Sequence, residues 1–230
     1  DRVIAVSEST KDDLVSRLRV SARKVSVVPS GVSERFVRID RNDARLSEVK
    51  SRYRLPYRFI LFLGTIEPRK NIASIAKAFD ALVSSGNDKG FSLIFAGMRG
   101  WKWREIRREI RQLPSRPRMR FLGFVRDEDK PFLYNLSGLF VYPSLYEGFG
   151  FPPLEAMACG VPAIASHGSS FPETVGGGAV LVDPLNPEEL FQAMKEILNN
   201  PSLADQLSKR GERIARRFNW NETAKKTLRI

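Results

Sequence analysis

The sequence predicts an α/β protein built on a doubly wound, parallel, Rossmann-like sheet. Three observations predict it. Short runs rich in β-branched and aromatic residues recur along the chain, each is closed by Gly, Pro or Ser, and segments of helical period separate them. Runs that are apolar throughout, such as "FILFL" and "LFVY", have no wet face, as a parallel sheet covered on both sides requires.

Taken in order, strands are expected over 3–7, 24–29, 58–64, 91–97, 119–125, 138–144, 161–166 and 178–184. Helices are expected over 71–84, 101–113, 127–137, 153–159, 187–200, 202–217 and 219–230, with one more between the first two strands. The stretch from about 30 to 57, rich in Arg, Asp and Ser, has no sustained period and reads as a connector. Residues 1–29 supply strand, helix and strand, too little for a core of their own. The chain begins at Asp1 already inside a strand, so the sequence is expected to start within a larger protein.

Composition narrows the class. With 42% hydrophobic and 28% charged residues in 230, the chain suits one large core or one domain with part of a second. Its longest apolar stretches fall far short of the roughly 20 residues that a membrane-spanning helix needs. Cys159, the single cysteine, excludes an internal disulfide framework and fits a reducing compartment, so the cytoplasm is the expected location. A net charge of +12 suggests anionic ligands, but it is unevenly spread. Residues 101–120 hold eight basic and two acidic side chains, whereas 121–200 hold three basic and ten acidic.

In doubly wound sheets ligands bind beyond the carboxyl ends of the strands, which directs attention to the loops after 64, 97, 125 and 144. "LGTIEPRKNIASIAKAF" leaves a strand, passes a glycine and enters a helix near Asn71, with Arg69 and Lys70 just before it. Backbone N–H groups at a helix start beside two cations suit a phosphate. Taken alone, both cations read as ordinary solvated charges. "SLYEGFGFPPLEAMACG" repeats the arrangement, with a helix start near Pro152 or Pro153. Gly148 and Gly150 allow close approach of the backbone to a ligand. Glu155 is expected in the first helical turn, where a carboxylate could accept from a vicinal diol such as a ribose, and Glu147, before the turn, could accept from sugar hydroxyls. Together these features suit a nucleotide diphosphate sugar.

On these residues, with "EPRKN", "FLGFV", "YPSLYEGFGFPPLEAMACGVPAIAS" and "PETVGGGAVLVDP", the sequence resembles the donor-binding half of retaining glycosyltransferases of family 4 (glycosyltransferase group 1), which have the two-domain GT-B architecture. The resemblance runs over nearly the whole chain. It implies that Arg69 and Lys70, with Thr65, bind the donor diphosphate, that Glu147 and the backbone of Gly148, Phe149 and Gly150 hold the transferred sugar, that Glu155 binds the ribose, and that Phe124 and Val125 lie beside the base. Glu147, Arg69 and Lys70 would then carry catalysis. Many relatives have an arginine where this chain has Thr65 and Ile66, which shifts the expected diphosphate contact towards Arg69.

The resemblance also implies a division into 1–56, the end of an N-terminal acceptor domain plus linker, 57–217, the nucleotide-sugar domain, and 218–230, a helix returning towards the N-terminal domain. The expected reaction is metal-independent transfer of a hexose with retention, mannose from GDP-mannose, to a glycan or lipid-linked acceptor of polysaccharide biosynthesis. No resident cofactor or metal is expected, and without its acceptor half the chain is expected to be inactive. A UDP-glucose-type donor, a non-catalytic nucleotide-sugar module and a nucleic-acid-binding module are the alternatives. The acidic 121–200 segment argues against the last.

Three features fall outside this scheme. His167, the only histidine, follows a strand and reads as a surface residue rather than a general base. Cys159 has apolar neighbours and reads as buried and inert. In 101–120, Trp103, Ile106, Ile110 and Leu113 share one helical face, and Arg104, Arg107, Arg108 and Arg111 the other, so the segment is either an ordinary solvated helix or a contact with anionic lipid. "RDEDK" (126–130) reads as a helix start with capping acids.

Overall fold

The computed structural model describes residues 1–230. Its elements run β1 (Val3–Ala5), α1 (Glu8–Ser16), β2 (Val25–Val27), α2 (Ala44–Arg52), β3 (Phe59–Leu63), α3 (Ile72–Ser84), β4 (Ser92–Ala96), α4 (Trp103–Ile110) and β5 (Met119–Gly123). They continue with α5 (Lys130–Leu136), β6 (Leu139–Tyr142), α6 (Phe151–Ala158), β7 (Ala163–Ser166), α7 (Phe171–Thr174), β8 (Val180–Val182), α8 (Pro187–Asn199), α9 (Pro201–Ala215) and α10 (Trp220–Leu228). All eight expected strands are present, each shorter than its apolar run: in most the run's last residues enter the following turn, whereas β7 keeps its end at Ser166 and loses Val161 and Pro162 at its start.

The main sheet has the order β5-β4-β3-β6-β7-β8 and every pair is parallel. From β3 the chain winds outward through β4 to β5, crosses back to place β6 on the other side of β3, and winds outward again to β8. Right-handed crossovers in opposite directions put helices on opposite faces. Accordingly α3 packs with α4 and α8, while α6 packs with α5 and α9. The strand Phe59–Leu63 is buried along its whole length, and so is Leu139–Tyr142, as the continuous apolar runs required. One core of aromatic and aliphatic side chains fills both faces.

Residues 30–57 differ from the expected connector, because they include α2. Asp43 caps it by accepting from the Arg45 N–H at 2.9 Å, and Leu46 and Val49 are buried where the helix packs on α5. Only these two positions of the helix are buried, so no amphipathic period could be read and the tertiary contact decides the conformation.

The first βαβ unit forms a separate two-stranded parallel sheet, β1-β2. Helix α10 lies against the segment that follows β2. Val32 N–H donates to the Phe218 carbonyl at 2.9 Å and Thr223 Oγ1 to the Pro29 carbonyl at 2.8 Å. A Cβ at Gly31 would come within 2.3 Å of Trp220 N, so glycine permits this approach.

Candidate functional site

The winding direction reverses between β3 and β6, and a crevice at such a reversal is where α/β sheets bind ligands. The loops leaving the carboxyl ends of these two strands are 64–71 and 143–150, the two stretches that carry the cations and the Glu-Gly-Phe-Gly turn. They touch directly: Leu145 N–H donates to the Arg69 carbonyl at 2.8 Å, and Ser144 Oγ is 3.1 Å from the same oxygen.

Pro68–Lys70 form a 3-10 turn, and Asn71 in the left-handed region reverses the chain into α3. This turn directs Lys70 inward. Lys70 is only 7% exposed, unlike the solvated lysine expected from its position in the sequence. Its ammonium donates to the Tyr142 hydroxyl at 2.7 Å and pairs with the Glu147 carboxylate. Arg69 spans the same space with a guanidinium left partly in water. It meets Glu147 Oε1 at 3.1 Å, donates to the Tyr146 carbonyl at 2.7 Å, and pairs with Glu67 at 2.8 Å. Ser144 Oγ lies 2.7 Å from the same Glu147 oxygen. Two cations and a hydroxyl thus converge on one carboxylate, a preorganised cluster of charge at the end of the sheet.

The backbone around Glu147 is equally fixed. Its N–H donates to Ser169 Oγ and its carbonyl accepts from Ser170 Oγ, both at 3.1 Å. Gly150 has φ +91°, and a Cβ there would stand 2.5 Å from the Phe171 ring. The N–H groups of Gly148, Phe149 and Gly150 make no backbone hydrogen bond within the chain, which leaves them as donors to spare. The Phe149 side chain points away, buried against Phe151 and Phe218, so only its backbone can serve a ligand.

Glu155 lies deeper than a first-turn residue. Because Gly150 starts the helix at Phe151, before the prolines, Glu155 is the fifth helical residue. Its carboxylate accepts from the Tyr134 hydroxyl at 2.8 Å, and burial pushes its pKa above the usual carboxylate range despite that bond. Tyr134, Phe140 and Tyr142 form one aromatic row, with ring centroids 5.3 Å and 5.9 Å apart. One end of this row holds Lys70 and the other holds Glu155, so both groups stand over the same face of β6.

The remaining expected residues are more scattered. Thr65 is exposed on the β3–α3 loop. Phe124 is 64% exposed beyond β5, whereas Val125 is buried. His167 is exposed, and Cys159 is buried, which raises its thiol pKa. Asp129 does not cap α5 as expected. It is 2% exposed and accepts from Arg52 at 2.6 Å, Tyr53 at 2.7 Å and Arg126 at 3.2 Å, bonds that hold its pKa down against burial. Tyr142, Ser144, Ser169 and Ser170 were not singled out in the sequence. A hydroxyl-rich segment flanking a glutamate turn was the available signal.

Residues 45–214 match the family described as "Glycosyl transferases group 1". The O-antigen chain mannosyltransferase B of Escherichia coli is 32% identical over 98% of this chain, and the chain spans 59% of that protein's length. Among solved structures, sucrose-phosphate synthase from Thermosynechococcus elongatus matches all of this chain and 57% of its own at 25% identity and a TM-score of 0.84. The Anabaena protein HepE, solved in complex with UDP and glucose, matches 99% of this chain and 62% of its own at 20% identity and a TM-score of 0.87. The fold is thus the Rossmann-like sheet of the GT-B class. With family match and shared fold both lying across the sheet that carries the site, the chain belongs to the family of glycosyl transferases group 1.

Proposed function

We propose that this chain supplies the donor-binding half of a retaining mannosyltransferase that takes mannose from GDP-mannose and passes it to a glycan or lipid-linked acceptor in polysaccharide assembly. The observation that carries the reading is the convergence of Arg69 and Lys70, from the loop after β3, on Glu147, from the loop after β6, at the reversal of the sheet. A nucleotide diphosphate sugar presents there what the residues can recognise: two phosphates for the cations and the amides of 148–150, hydroxyls for Glu147, and a ribose diol for Glu155. Thr65 would border the diphosphate, and Phe124 and Val125 the base.

When the bond between the anomeric carbon and the diphosphate breaks, negative charge grows on the leaving group and positive charge on the sugar. Arg69, Lys70 and the helix-start amides stabilise the first, and the Glu147 carboxylate stabilises the second. The acceptor hydroxyl oxygen then bonds to the anomeric carbon on the face the diphosphate left, and its proton passes to the departing diphosphate oxygen. Positive potential from side chains serves the leaving group without a metal ion. In this reading residues 1–56 close an acceptor domain and its linker, 57–217 form the donor domain and 218–230 return to the acceptor domain, so the chain alone binds donor and transfers nothing.

The name of the E. coli relative favours mannose, and the complex of HepE with UDP and glucose keeps a UDP-sugar donor as the second reading. Calorimetric titration with GDP-mannose, UDP-glucose and GDP decides between them. Saturable heat with GDP-mannose, with an affinity that falls in Lys70→Ala, is expected. No heat with any nucleotide sugar, together with DNA binding that falls steeply with salt, removes the proposal.

No helix is long and apolar enough to cross a membrane. We place the protein in the cytoplasm, held against anionic lipid by the exposed arginines of α4, where a lipid-linked acceptor would be met.

A further inference from the structure

The first turn of a helix leaves N–H groups without intrahelical partners. In α1 the first three are all taken, and two of them by a distant residue. Glu8 N–H and Ser9 N–H donate to the two carboxylate oxygens of Glu173 at 2.9 and 3.0 Å, and Thr10 N–H donates to Ser7 Oγ at 3.0 Å. A carboxylate at a helix N-terminus also meets the positive end of the helix dipole. Glu173 stands at the end of the segment whose serines, Ser169 and Ser170, bind the N–H and carbonyl of Glu147.

The contact closes into a ring through the site. The Gly148 carbonyl, one peptide beyond Glu147, lies 2.6 Å from Ser7 Oγ and 3.1 Å from Thr10 Oγ1. The Tyr146 hydroxyl donates to Asp13, further along α1. Residues 146–148 are therefore gripped from one side by α1 and from the other by 169–170, and Glu173 joins the two grips. No ligand role has been given to Ser7, Thr10 or Glu173.

We propose that Glu173 is a latch: by holding the N-terminus of α1 against the site it fixes the Glu147–Gly148 peptide, which makes Glu173, Ser7 and Thr10 positioning residues for the glutamate that meets the sugar. The consequence rests on the reading of Glu147 given above. If residues 1–56 belong to the acceptor domain, the latch couples the seating of that domain to the orientation of Glu147. The sugar-binding turn is then complete only when both halves are engaged.

Glu173 is an exposed residue of the short helix α7, so its removal spares the core. In the whole protein carrying this chain, hydrogen exchange of Glu173→Ala is compared with wild type. Loss of a cap-type contact should speed exchange by about fivefold at residues 8–10 and, through the ring, at 146–150 as well. Glu173→Gln, which keeps an acceptor, should recover part of the protection. With GDP-mannose and acceptor, Glu173→Ala should lower kcat by about fivefold while the donor KM stays within twofold, and Glu173→Gln should restore part of kcat. The Ser7→Ala, Thr10→Val double variant attacks the ring from the other side and should loosen 146–150 to the same degree. Faster exchange confined to 8–10, or an unchanged kcat, overturns the latch. If wild type binds no nucleotide sugar, the donor reading falls, and the coupled exchange of 8–10 with 146–150 still decides whether the latch exists.

Discussion

Lys70 and Glu147 are ion-paired across the reversal of the sheet, with the Lys70 ammonium also 2.7 Å from the Tyr142 hydroxyl. The two residues come from loops after different strands, and their pairing ties those loops together at the carboxyl end of the sheet. It also means that the cations proposed for the diphosphate are already engaged by the acid proposed for the sugar. In the proposed reading a donor draws Lys70 and Arg69 towards its phosphates and thereby releases Glu147 for hydroxyls. Binding and activation of the acid become one event.

Lys70→Ala is therefore expected to weaken donor binding by about 10- to 100-fold, the worth of a hydrogen bond to a charged group. It should also lower the melting temperature, because it leaves a mostly buried carboxylate with fewer partners. Arg69→Ala, at a side chain that is 41% exposed, should cost less affinity, and that cost should shrink more as salt rises. Titration calorimetry at two ionic strengths measures both, and equal affinities for wild type and Lys70→Ala contradict the assignment.

The two glycines of the turn should respond differently. Alanine at Gly150 meets a left-handed backbone and the Phe171 ring at 2.5 Å, and should cost about 1–3 kcal/mol of stability. At Gly148 the nearest atom to a Cβ is Thr10 Oγ1 at 3.6 Å, ordinary van der Waals contact. Gly148→Ala should melt near the wild-type temperature yet bind donor less tightly, because its cost arises only when a ligand approaches the amide. Thermal melts with and without GDP-mannose separate the two.

Burial of Glu155 makes the stability of the fold depend on pH. Burial raises its pKa, so between the unfolded value and the raised folded value the native state holds more protons. Stability from this group falls as pH rises through that window, and the full penalty is present above it. Glu155→Gln, which can still accept from Tyr134, should melt higher than wild type at pH 7, and the gain should fade below the ordinary glutamate range, where both states are protonated. Donor affinity should fall by about tenfold with the loss of a charged acceptor for the diol. A lower melting temperature for the variant at neutral pH would contradict this account.

The strands were legible because buried parallel strands are apolar throughout, so "FILFL" and "LFVY" announce themselves without context. The loops bearing Arg69, Lys70 and Glu147, and the helix bearing Glu155, were legible because helix starts and glycine turns have local signatures. What was not legible depends on adjacency. Lys70 is buried because Tyr142 arrives on the neighbouring strand, and that β6 lies beside β3 is a property of the winding, not of either segment. Asp129 reads as a cap in the sequence, but Arg52 at the end of α2 and Tyr53 just beyond it reach its carboxylate, and the two buried residues of that helix give no period. Glu155 shifted from the first turn because Gly150, not the prolines, starts α6.

Helix α4 keeps Ile106 and Ile110 buried, and Trp103 lies edge-on to Phe121 at 4.8 Å, while Arg104, Arg107, Arg108 and Arg111 are exposed. The apolar face is spent on the core, so any membrane contact must be electrostatic rather than insertion of that face. Each basic residue near an anionic surface is worth about 1 kcal/mol, so changing all four to Glu should lower partition onto phosphatidylserine-rich vesicles by about a hundredfold or more. Wild-type binding should itself decline as salt rises, since the attraction fades within a Debye length. The core is untouched by the substitutions, so the melting temperature should stay close to wild type and the comparison reports on the surface alone. Co-sedimentation that is equal for both proteins would assign these arginines to solvent and leave the acceptor to be met by other parts of the enzyme.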